Sequence, residues 1–343
     1  MPVPDTNASH DFIFAKLHGL WANSVMCNGL EKLLKSGTPE ALQRNLYPFG
    51  LDAPTRDAFH KNLMAREFSL LERIAKLLDR PSAQYYRAFI AKSYFNNLKT
   101  ILHYRFFPER EADINRLLID APGLPPFNTE SLLKPGSTTA FASSIPLSSG
   151  ITHDELFDII FTLEKDKDIM VAECALDRIC YRNLLNHAKA VPLDMRATCT
   201  SLIRAEIDVM NICMLLRNVK TYKLDADRLE RLWLLGGAQL DTKQLAELAS
   251  LNTVSKVISK LPKTYGNLLE PLKDSLLFHC ENKLWNHLFD LASKAFREFN
   301  DEAFSIAAFP LLIHFEALNI GRIYEGVHFG IPTRDMQDMM IGA

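Results

Sequence analysis

The sequence predicts an all-α protein built from three related helical units. Apolar residues recur at helical spacing along most of the chain, for example in residues 70–78 and 245–251, whereas alternating strand-like runs are scarce. In addition, one short pattern occurs three times at nearly even intervals. Repetition on this scale indicates one supersecondary unit that is used three times.

The repeated pattern centres on an asparagine. The three segments align on this residue at separations of 114 residues (211 − 97) and 108 residues (319 − 211), and apolar side chains then coincide one and four residues further on. An aspartate follows sixteen residues after each asparagine. The repeated asparagines are Asn97, Asn211 and Asn319, and the repeated aspartates are Asp113, Asp227 and Asp335.

Both repeated residues are predicted to serve the fold. Asparagine is unfavourable inside a helix, so its recurrence beside an apolar stripe predicts a specific hydrogen bond, to the chain that leads into the next helix. The aspartates are predicted to lie at helix starts, where a carboxylate can accept from unpaired backbone N–H groups. A site formed by the three carboxylates together is the functional alternative.

Local signals mark individual helix ends. Thr38 followed by Pro39 predicts a helix start, and the Gly236 and Gly237 pair predicts a helix stop. Two capping boxes are predicted, at Thr152 with Glu155 and at Asp241 with Gln244.

A change in composition suggests where the first unit ends. Residues 121–150 are rich in proline, glycine and serine, which predicts little regular structure there. The second boundary is predicted near Gly237. We therefore predict helical domains at 1–124, 125–237 and 238–343, of which the second starts with the Pro/Gly/Ser-rich connection.

Composition and charge argue against several classes of protein. The 343 residues are 48% hydrophobic and 23% charged, which is ordinary for a globular protein with its own core. The chain has 39 basic and 41 acidic residues, and the resulting net charge of −2 argues against nucleic acid as a partner. The six cysteines lack CxxC pairs and framework spacing, which indicates a reducing, cytoplasmic compartment.

No membrane insertion is predicted. The N-terminus has neither the basic region nor the apolar core of a secretory signal. The most apolar run, residues 303–320, contains Pro310, His314 and Glu316, and it falls short of about 20 unbroken apolar residues.

The sequence contains no recognisable catalytic motif. None of the patterns GxxxxGK[ST], GxGxxG, GxSxG, HExxH or DDxxD occurs. The best metal candidate is His279 and Cys280 with His287, but these residues lack further ligands at suitable spacing. We predict no catalytic residue, no cofactor and no metal.

A set of cationic residues follows the repeated asparagines. They lie toward predicted helix C-terminal ends, where cations oppose the helix dipole. Helix-end electrostatics is the simpler interpretation, and a surface for a partner protein is the alternative. The residues are Arg105, Arg217, Lys220, Arg322 and His328.

The chain resembles a known family, the connector subunit of V-type and archaeal-type rotary ATPases, called C in prokaryotes and d in eukaryotes. Residues 315–332 look like its C-terminal pattern, in which a glutamate, Asn-Ile and a further apolar residue lead into the last short helix. Residues 85–102, 204–212 and 12–46 resemble its first repeat, second repeat and opening helices. This chain departs from the pattern at Tyr94, where the other repeats have Asp208 and Glu316, and in a shortened tail after Ile341.

The resemblance implies a funnel of three pseudo-threefold related helical domains. Such a protein seats the central stalk of the soluble ATPase on the proteolipid rotor ring, and it transmits torque for ATP-driven ion transport or ion-driven ATP synthesis. It is implied to be non-catalytic, a monomer within a hetero-oligomeric complex, and cytoplasmic at the membrane periphery.

Two other functions are compatible with the residues themselves. Stacked helical repeats commonly form binding surfaces, so a helical-repeat scaffold or protein-binding adaptor unrelated to a motor is one alternative. A helical enzyme with a cryptic site is the other, and it is suggested only by scattered histidines and cysteines.

Overall fold

The structure of the protein is a computed structural model that describes residues 10–52, 55–107, 113–134, 136–148, 150–298 and 302–342. Within these ranges no strand occurs, and the predicted all-α class is confirmed. The helices are α1 (His10–Ala22), α2 (Val25–Asn28), α3 (Leu30–Leu34), α4 (Pro39–Leu46), α5 (Arg56–Ala75), α6 (Arg80–Ile90), α7 (Lys92–Phe106), α8 (Thr129–Leu133), α9 (Thr138–Ser144), α10 (His153–Asp166), α11 (Ile169–Ala190), α12 (Leu193–Arg217), α13 (Ala226–Glu230), α14 (Thr242–Ala249), α15 (Val254–Lys260), α16 (Lys263–Leu269), α17 (Leu277–Phe296), α18 (Glu302–His328) and α19 (Thr333–Met339). Short 3-10 turns lie at Tyr47–Phe49, Ile114–Arg116 and Glu270–Leu272, and a π-helical turn, Asn218–Tyr222, follows α12.

The predicted helix starts are confirmed. Thr38 caps α4, its side chain accepts from the Ala41 N–H, and Pro39 takes the first helical position, where a missing N–H costs nothing. Both predicted capping boxes are present, at the starts of α10 and α14.

The predicted helix stop at Gly236 and Gly237 is wrong. The preceding helix, α13, already ends at Glu230, so the glycine pair lies in the connection between α13 and α14. Gly236 has a left-handed φ of +94°, which favours glycine. At Gly237 the reason is space, because an added Cβ would overlap the Oδ1 atom of Asp208.

The Pro/Gly/Ser-rich connection contains more regular structure than the composition predicts. Two short helices, α8 and α9, form in it. Asn128 and Ser137 cap them with side-chain oxygens that accept from the Ser131 and Ala140 N–H groups. The same small polar residues that reduce helix propensity thus act as start signals for short helices.

The described residues cluster into two compact units. Unit 1 lies within Met1–Arg87, Ala190–Leu202 and Trp285–Ala343, and unit 2 lies within Ala88–Lys189 and Ile203–Leu284. Each unit is discontinuous in sequence, because the packing groups segments from different predicted repeats. The division into 1–124, 125–237 and 238–343 follows sequence repetition instead, and it stays a prediction.

Unit 1 is organised around α18, against which α1, α4 and α5 pack. One core cluster joins α18 to the N-terminal helices and to α5 and α19, and it includes Leu33, Leu46, Phe59, Ile323 and Met336. By length and hydropathy alone α18 could cross a membrane. The helix has 27 residues and extends beyond the apolar run at residues 303–320. However, 83% of its most apolar window is buried inside the protein, as expected for a core helix.

A proline inside α18 explains an unusual contact with α6. Pro310 has no N–H, so it cannot donate to the carbonyl of Ile306 four residues earlier. The hydroxyl of Tyr86 donates to that carbonyl at 2.8 Å. The adjacent Tyr85 hydroxyl donates to the carbonyl of Ala307 at 3.1 Å. Tyr86 thereby satisfies the carbonyl that the proline leaves without a helical donor, and Tyr85 adds a hydrogen bond to the next carbonyl.

Unit 2 contains ion pairs between α7 and α11. Lys99 contacts Asp177 at 2.5 Å, and His103 contacts Glu173 at 2.8 Å one helical turn away. Burial raises the pKa of Asp177, and the ammonium of Lys99 opposes this effect. Because side chains one turn apart on α7 meet side chains one turn apart on α11, the pairs hold the two helices in one register.

Candidate functional site

Each repeated asparagine makes a double hydrogen bond to a single backbone residue, and this is the most distinctive geometry in the protein. In all three cases the side-chain amide donates through Nδ2 to a carbonyl and accepts at Oδ1 from the N–H of the same residue. The partner follows 22, 23 and 22 residues later, and the N–O distances are 2.7–3.0 Å. The pairs are Asn97 with Ile119, Asn211 with Leu234, and Asn319 with Ile341.

These bonds are the ones that the sequence predicts, to chain that follows the asparagine helix. The asparagines are 6%, 2% and 0% exposed, so water has little access to these side chains. A side-chain amide carries one donor group and one acceptor group, which matches the N–H and C=O of one residue in extended backbone. We call each arrangement an asparagine lock.

Positions within a repeat can be counted from the asparagine, and equivalent positions meet in two places. Twelve residues before it lie Tyr85, Cys199 and Ala307, all fully buried in unit 1. Tyr85 donates to the carbonyl of Ala307 and shares a side-chain hydrogen bond with Cys199. Burial raises the pKa of the Cys199 thiol to about 12, so this cysteine packs as a protonated, small apolar residue.

Five residues before the asparagine, a second equivalent pair meets in unit 2. Lys92 of the first repeat contacts Glu206 of the second at 2.8 Å, and the hydroxyl of Tyr181 donates to the same oxygen at 2.8 Å. Glu206 is only 3% exposed, so these partners bind a carboxylate oxygen that water hardly reaches. This pair was not predicted from the sequence, although the shared position of Lys92 and Glu206 in two repeats is a signal that points to it.

The three repeated aspartates lie at helix starts and are exposed. Asp113 precedes the 3-10 turn and accepts from the Asn115 N–H at 3.0 Å. Asp227 and Asp335 lie in the first turns of α13 and α19, where a carboxylate complements the helix dipole. The capping hydrogen bond of α13 comes instead from Asp225, two residues earlier. Each aspartate therefore has a local role at its own helix.

Three of the five cationic residues are engaged with their own unit. Arg105 donates to the carbonyls of Lys134 and Gly136 at 3.0 and 2.7 Å. The guanidinium of Arg217 makes two hydrogen bonds to Glu281, which raise the pKa of Arg217. Arg322 donates to the carbonyl of Met339, and burial lowers the pKa of Arg322.

The other two cationic residues are more accessible. Lys220 is exposed on the π-helical turn. His328 is exposed at the end of α18, where its Nδ1 atom lies 2.8 Å from the Tyr324 carbonyl. The structure thus separates the predicted set into three residues that hold the fold and two that face solvent.

The described residues contain no group of three or more His, Cys, Asp or Glu side chains that could hold a metal ion. Cys280 is buried, its Sγ lies 3.5 Å from the Leu272 carbonyl, and burial raises the pKa of this thiol. Its environment is that of a packing residue.

A comparison with known proteins gives the family of the chain. A family model described as ATP synthase (C/AC39) subunit matches residues 15–339. A comparison with curated proteins found no match. The matched region contains all three asparagine helices. The chain therefore belongs to the ATP synthase (C/AC39) subunit family of rotary V/A-type ATPases.

Proposed function

We propose that the protein is the non-catalytic connector between the central stalk of a rotary V/A-type ATPase and its proteolipid rotor ring. It transmits torque for ATP-driven ion transport or ion-driven ATP synthesis. Membership of the family supports a place in such a complex. The observation that carries the mechanical role is the asparagine lock, which occurs three times with the same two bonds.

A part that transmits torque has to resist twisting. Each asparagine lock ties the end of a connecting segment to a long helix, so the segment cannot slide along the helix without losing two hydrogen bonds. The hydrogen bond from Tyr86 to the carbonyl left free by Pro310 and the ion pairs between α7 and α11 add further fixed contacts. Together these features favour a stiff adaptor over a flexible linker.

We also propose that the three predicted domains are related by a pseudo-threefold axis and form a funnel. Two contacts support this relation. Tyr85, Cys199 and Ala307 occupy the same position in their repeats and pack together. Lys92 and Glu206 likewise occupy one position and form an ion pair. Each contact brings equivalent positions of different repeats together within one unit, as a rotational relation between repeats predicts.

The partner surfaces belong to the same proposal. Arg105, Arg217 and Arg322 serve internal contacts, so we assign the stalk or ring contacts to exposed cations such as Lys220 and His328. The protein acts as a monomer within the hetero-oligomeric complex, and it is held at the cytoplasmic side of the membrane by its partners.

Co-purification tests the proposal. The tagged chain is expressed with the stalk subunits and proteolipid ring of its own ATPase, and detergent-solubilised complexes are isolated through the tag. We expect stalk and ring to be recovered together, and to be recovered separately when the chain is omitted. Recovery of neither would contradict the connector role and would favour a helical scaffold with other partners.

A further inference from the structure

Three residues before each asparagine lies a side chain that binds a distant stretch of backbone. In the second repeat this is Asp208, which is fully buried. Its carboxylate accepts from the N–H groups of Ala238, Gln239 and Leu240 at 2.8–3.3 Å and from the Tyr265 hydroxyl at 3.1 Å. Burial raises the pKa of Asp208, and these donors oppose that effect. Asp208 therefore holds the chain that begins the predicted third repeat.

The equivalent residue of the first repeat is Tyr94. Its hydroxyl donates to the carbonyl of Pro146 at 2.9 Å, and its ring stacks on Phe127 with centroids 5.3 Å apart. Phe127 and Pro146 both lie in the Pro/Gly/Ser-rich connection that begins the predicted second repeat. The chemistry differs from that of Asp208, but the segment that is held has the same place in the repeat.

The equivalent residue of the third repeat, Glu316, reaches the N-terminal part of the chain. Its Oε1 atom accepts from the Val25 N–H at 2.8 Å and from Arg66 at 3.4 Å, and the side chain is fully buried. Residues 24–34, which we call the clasp, form further side-chain hydrogen bonds with this repeat. Asn319 donates to the Met26 sulfur at 3.2 Å, and the Thr333 hydroxyl donates to the Leu34 carbonyl at 3.3 Å.

We propose that the clasp completes the third repeat, so that each repeat holds the beginning of the next in cyclic order. The first holds the second through Tyr94, the second holds the third through Asp208, and the third holds the first through Glu316. The clasp and the segment around Ile341 are more than 300 residues apart in sequence, yet both are fixed by α18. They should therefore open and close as one structural unit.

Hydrogen exchange in a Val25→Pro variant tests this proposal. Val25 is the first residue of α2 and Ser24 before it has extended backbone, so proline fits the local backbone conformation. The substitution removes the N–H that binds Glu316, and it also replaces a buried side chain of the core cluster. We expect exchange to accelerate at least about tenfold both in the clasp and at the Ile341 amide, which is the lower end of the range for loss of one hydrogen bond to a charged group. The Leu234 amide, which lies in the second asparagine lock, should keep its rate.

Ala226→Pro controls for proline at the first position of a short helix, and Val25→Ala, which keeps the N–H, controls for loss of the buried valine side chain. Ala226 is also the first residue of a short helix, follows an extended N-cap residue, Asp225, and is exposed. Proline there should leave exchange in the clasp and at Ile341 unchanged. The Ile341 and Leu234 amides are both buried partners of an asparagine, so their comparison separates a local opening from general loss of stability.

A Glu316→Gln background shows whether the carboxylate is the acceptor that matters. The Val25→Pro acceleration should shrink in this background, because a neutral amide oxygen forms a weaker bond with the same N–H. Acceleration in the clasp alone, with Ile341 unaffected, would overturn the proposal. So would equal acceleration at Ile341 and Leu234. Because the readout is the isolated protein, either result is independent of assembly with an ATPase.

Discussion

Asparagine is the residue whose side chain can copy the hydrogen bonding of a strand neighbour. Its amide offers one acceptor and two N–H donors on a short stem, and in this protein it satisfies both polar groups of one backbone residue three times over. Aspartate would lack the donor, and leucine would lack both partners. The repeated residue type follows from this chemistry.

Substitution of Asn97 by leucine should therefore be costly. Asn97→Leu leaves the N–H and carbonyl of Ile119 unpaired in a largely buried site, and we expect the free energy of unfolding to fall by about 2–4 kcal/mol. Asn96→Leu is the matched control, because Asn96 is exposed on the same helix, and it should change stability by less than about 0.5 kcal/mol. Urea denaturation measures both. Equal effects of the two variants would contradict the role of the lock.

Gly237 is predicted to be intolerant of any side chain. A Cβ there would overlap Oδ1 of Asp208 and lie 3.0 Å from the Leu240 carbonyl, so Gly237→Ala should lower the free energy of unfolding by about 1–3 kcal/mol. Gly19→Ala is the control, since nothing lies within 4 Å of a Cβ in that exposed helix position. It should stabilise the protein by about 0.5–1 kcal/mol. Thermal unfolding followed by circular dichroism would distinguish them.

His18 is predicted to make stability depend on pH. Its ring stacks on Phe296 and its Nε2 atom lies 3.2 Å from the Ser305 hydroxyl. Burial lowers the pKa of His18 below the ordinary value of 6.5, so the unfolded chain binds the proton more tightly than the folded one. Stability should be level above about pH 6.5 and fall as the pH drops below it.

The His18→Gln variant isolates this contribution. Glutamine does not titrate, and it can still bond to Ser305, so the decline in stability between pH 7.5 and pH 5.5 should be shallower than in the unmodified protein. Urea midpoints at the two pH values provide the measurement. An unchanged decline would assign the pH dependence to other groups, among them His187, whose pKa is also lowered by burial.

At the scale of elements, α18 is a largely buried helix with a proline in its interior. The missing N–H of Pro310 would leave a buried carbonyl unpaired, and the hydroxyl of Tyr86 on α6 supplies the donor. A local defect in one helix thus becomes a specific contact with another. This explains how a proline is accommodated in the core helix of unit 1.

A double-mutant cycle tests the connection between the proline and the tyrosine. Tyr86→Phe should lower the free energy of unfolding by about 1–3 kcal/mol in the unmodified protein. In a Pro310→Ala background it should cost about 1 kcal/mol less, because the N–H of the alanine can donate to the Ile306 carbonyl.

Tyr85→Phe is the control for this cycle. Tyr85 donates to the carbonyl of Ala307, whose helical donor is Leu311 and not the proline. Its effect should be the same with Pro310 or with alanine. If Tyr86 showed no coupling to position 310, the hydroxyl would not be compensating for the proline.

At the scale of the whole molecule, the connector role predicts a separation between stability and catalysis. Asn211→Leu breaks the asparagine lock of α12, so it should lower the yield of complexes that contain both stalk and ring. ATP hydrolysis by the detached catalytic head should be unchanged, because the connector contributes no reacting group. ATP-driven ion transport by reconstituted complexes should fall with the yield. Loss of hydrolysis by the detached head would contradict a purely mechanical role.

Much of the fold was accessible to sequence reasoning because its signals are local. The capping boxes at Thr152 and Asp241 depend on residues three positions apart, and the asparagine repeat is visible in the letters alone. The Gly236 and Gly237 pair led to a wrong prediction of a helix stop, because the reason for a glycine at position 237 is a residue distant in sequence. Gly237 accommodates Asp208, which no local pattern reveals.

The sequence by itself determined the helical class, the threefold repetition and the family, since periodicity, spacing and residue type are properties of the chain. Only the tertiary structure decided which residue each asparagine binds. It also decided that Tyr86 donates to the carbonyl left free by Pro310, and that Glu316 accepts from the Val25 N–H. These contacts join residues 22 to 291 positions apart. The packing of the helices determines which groups come close together. A buried polar group left unpaired is unfavourable, so it bonds to a neighbour within hydrogen-bond distance.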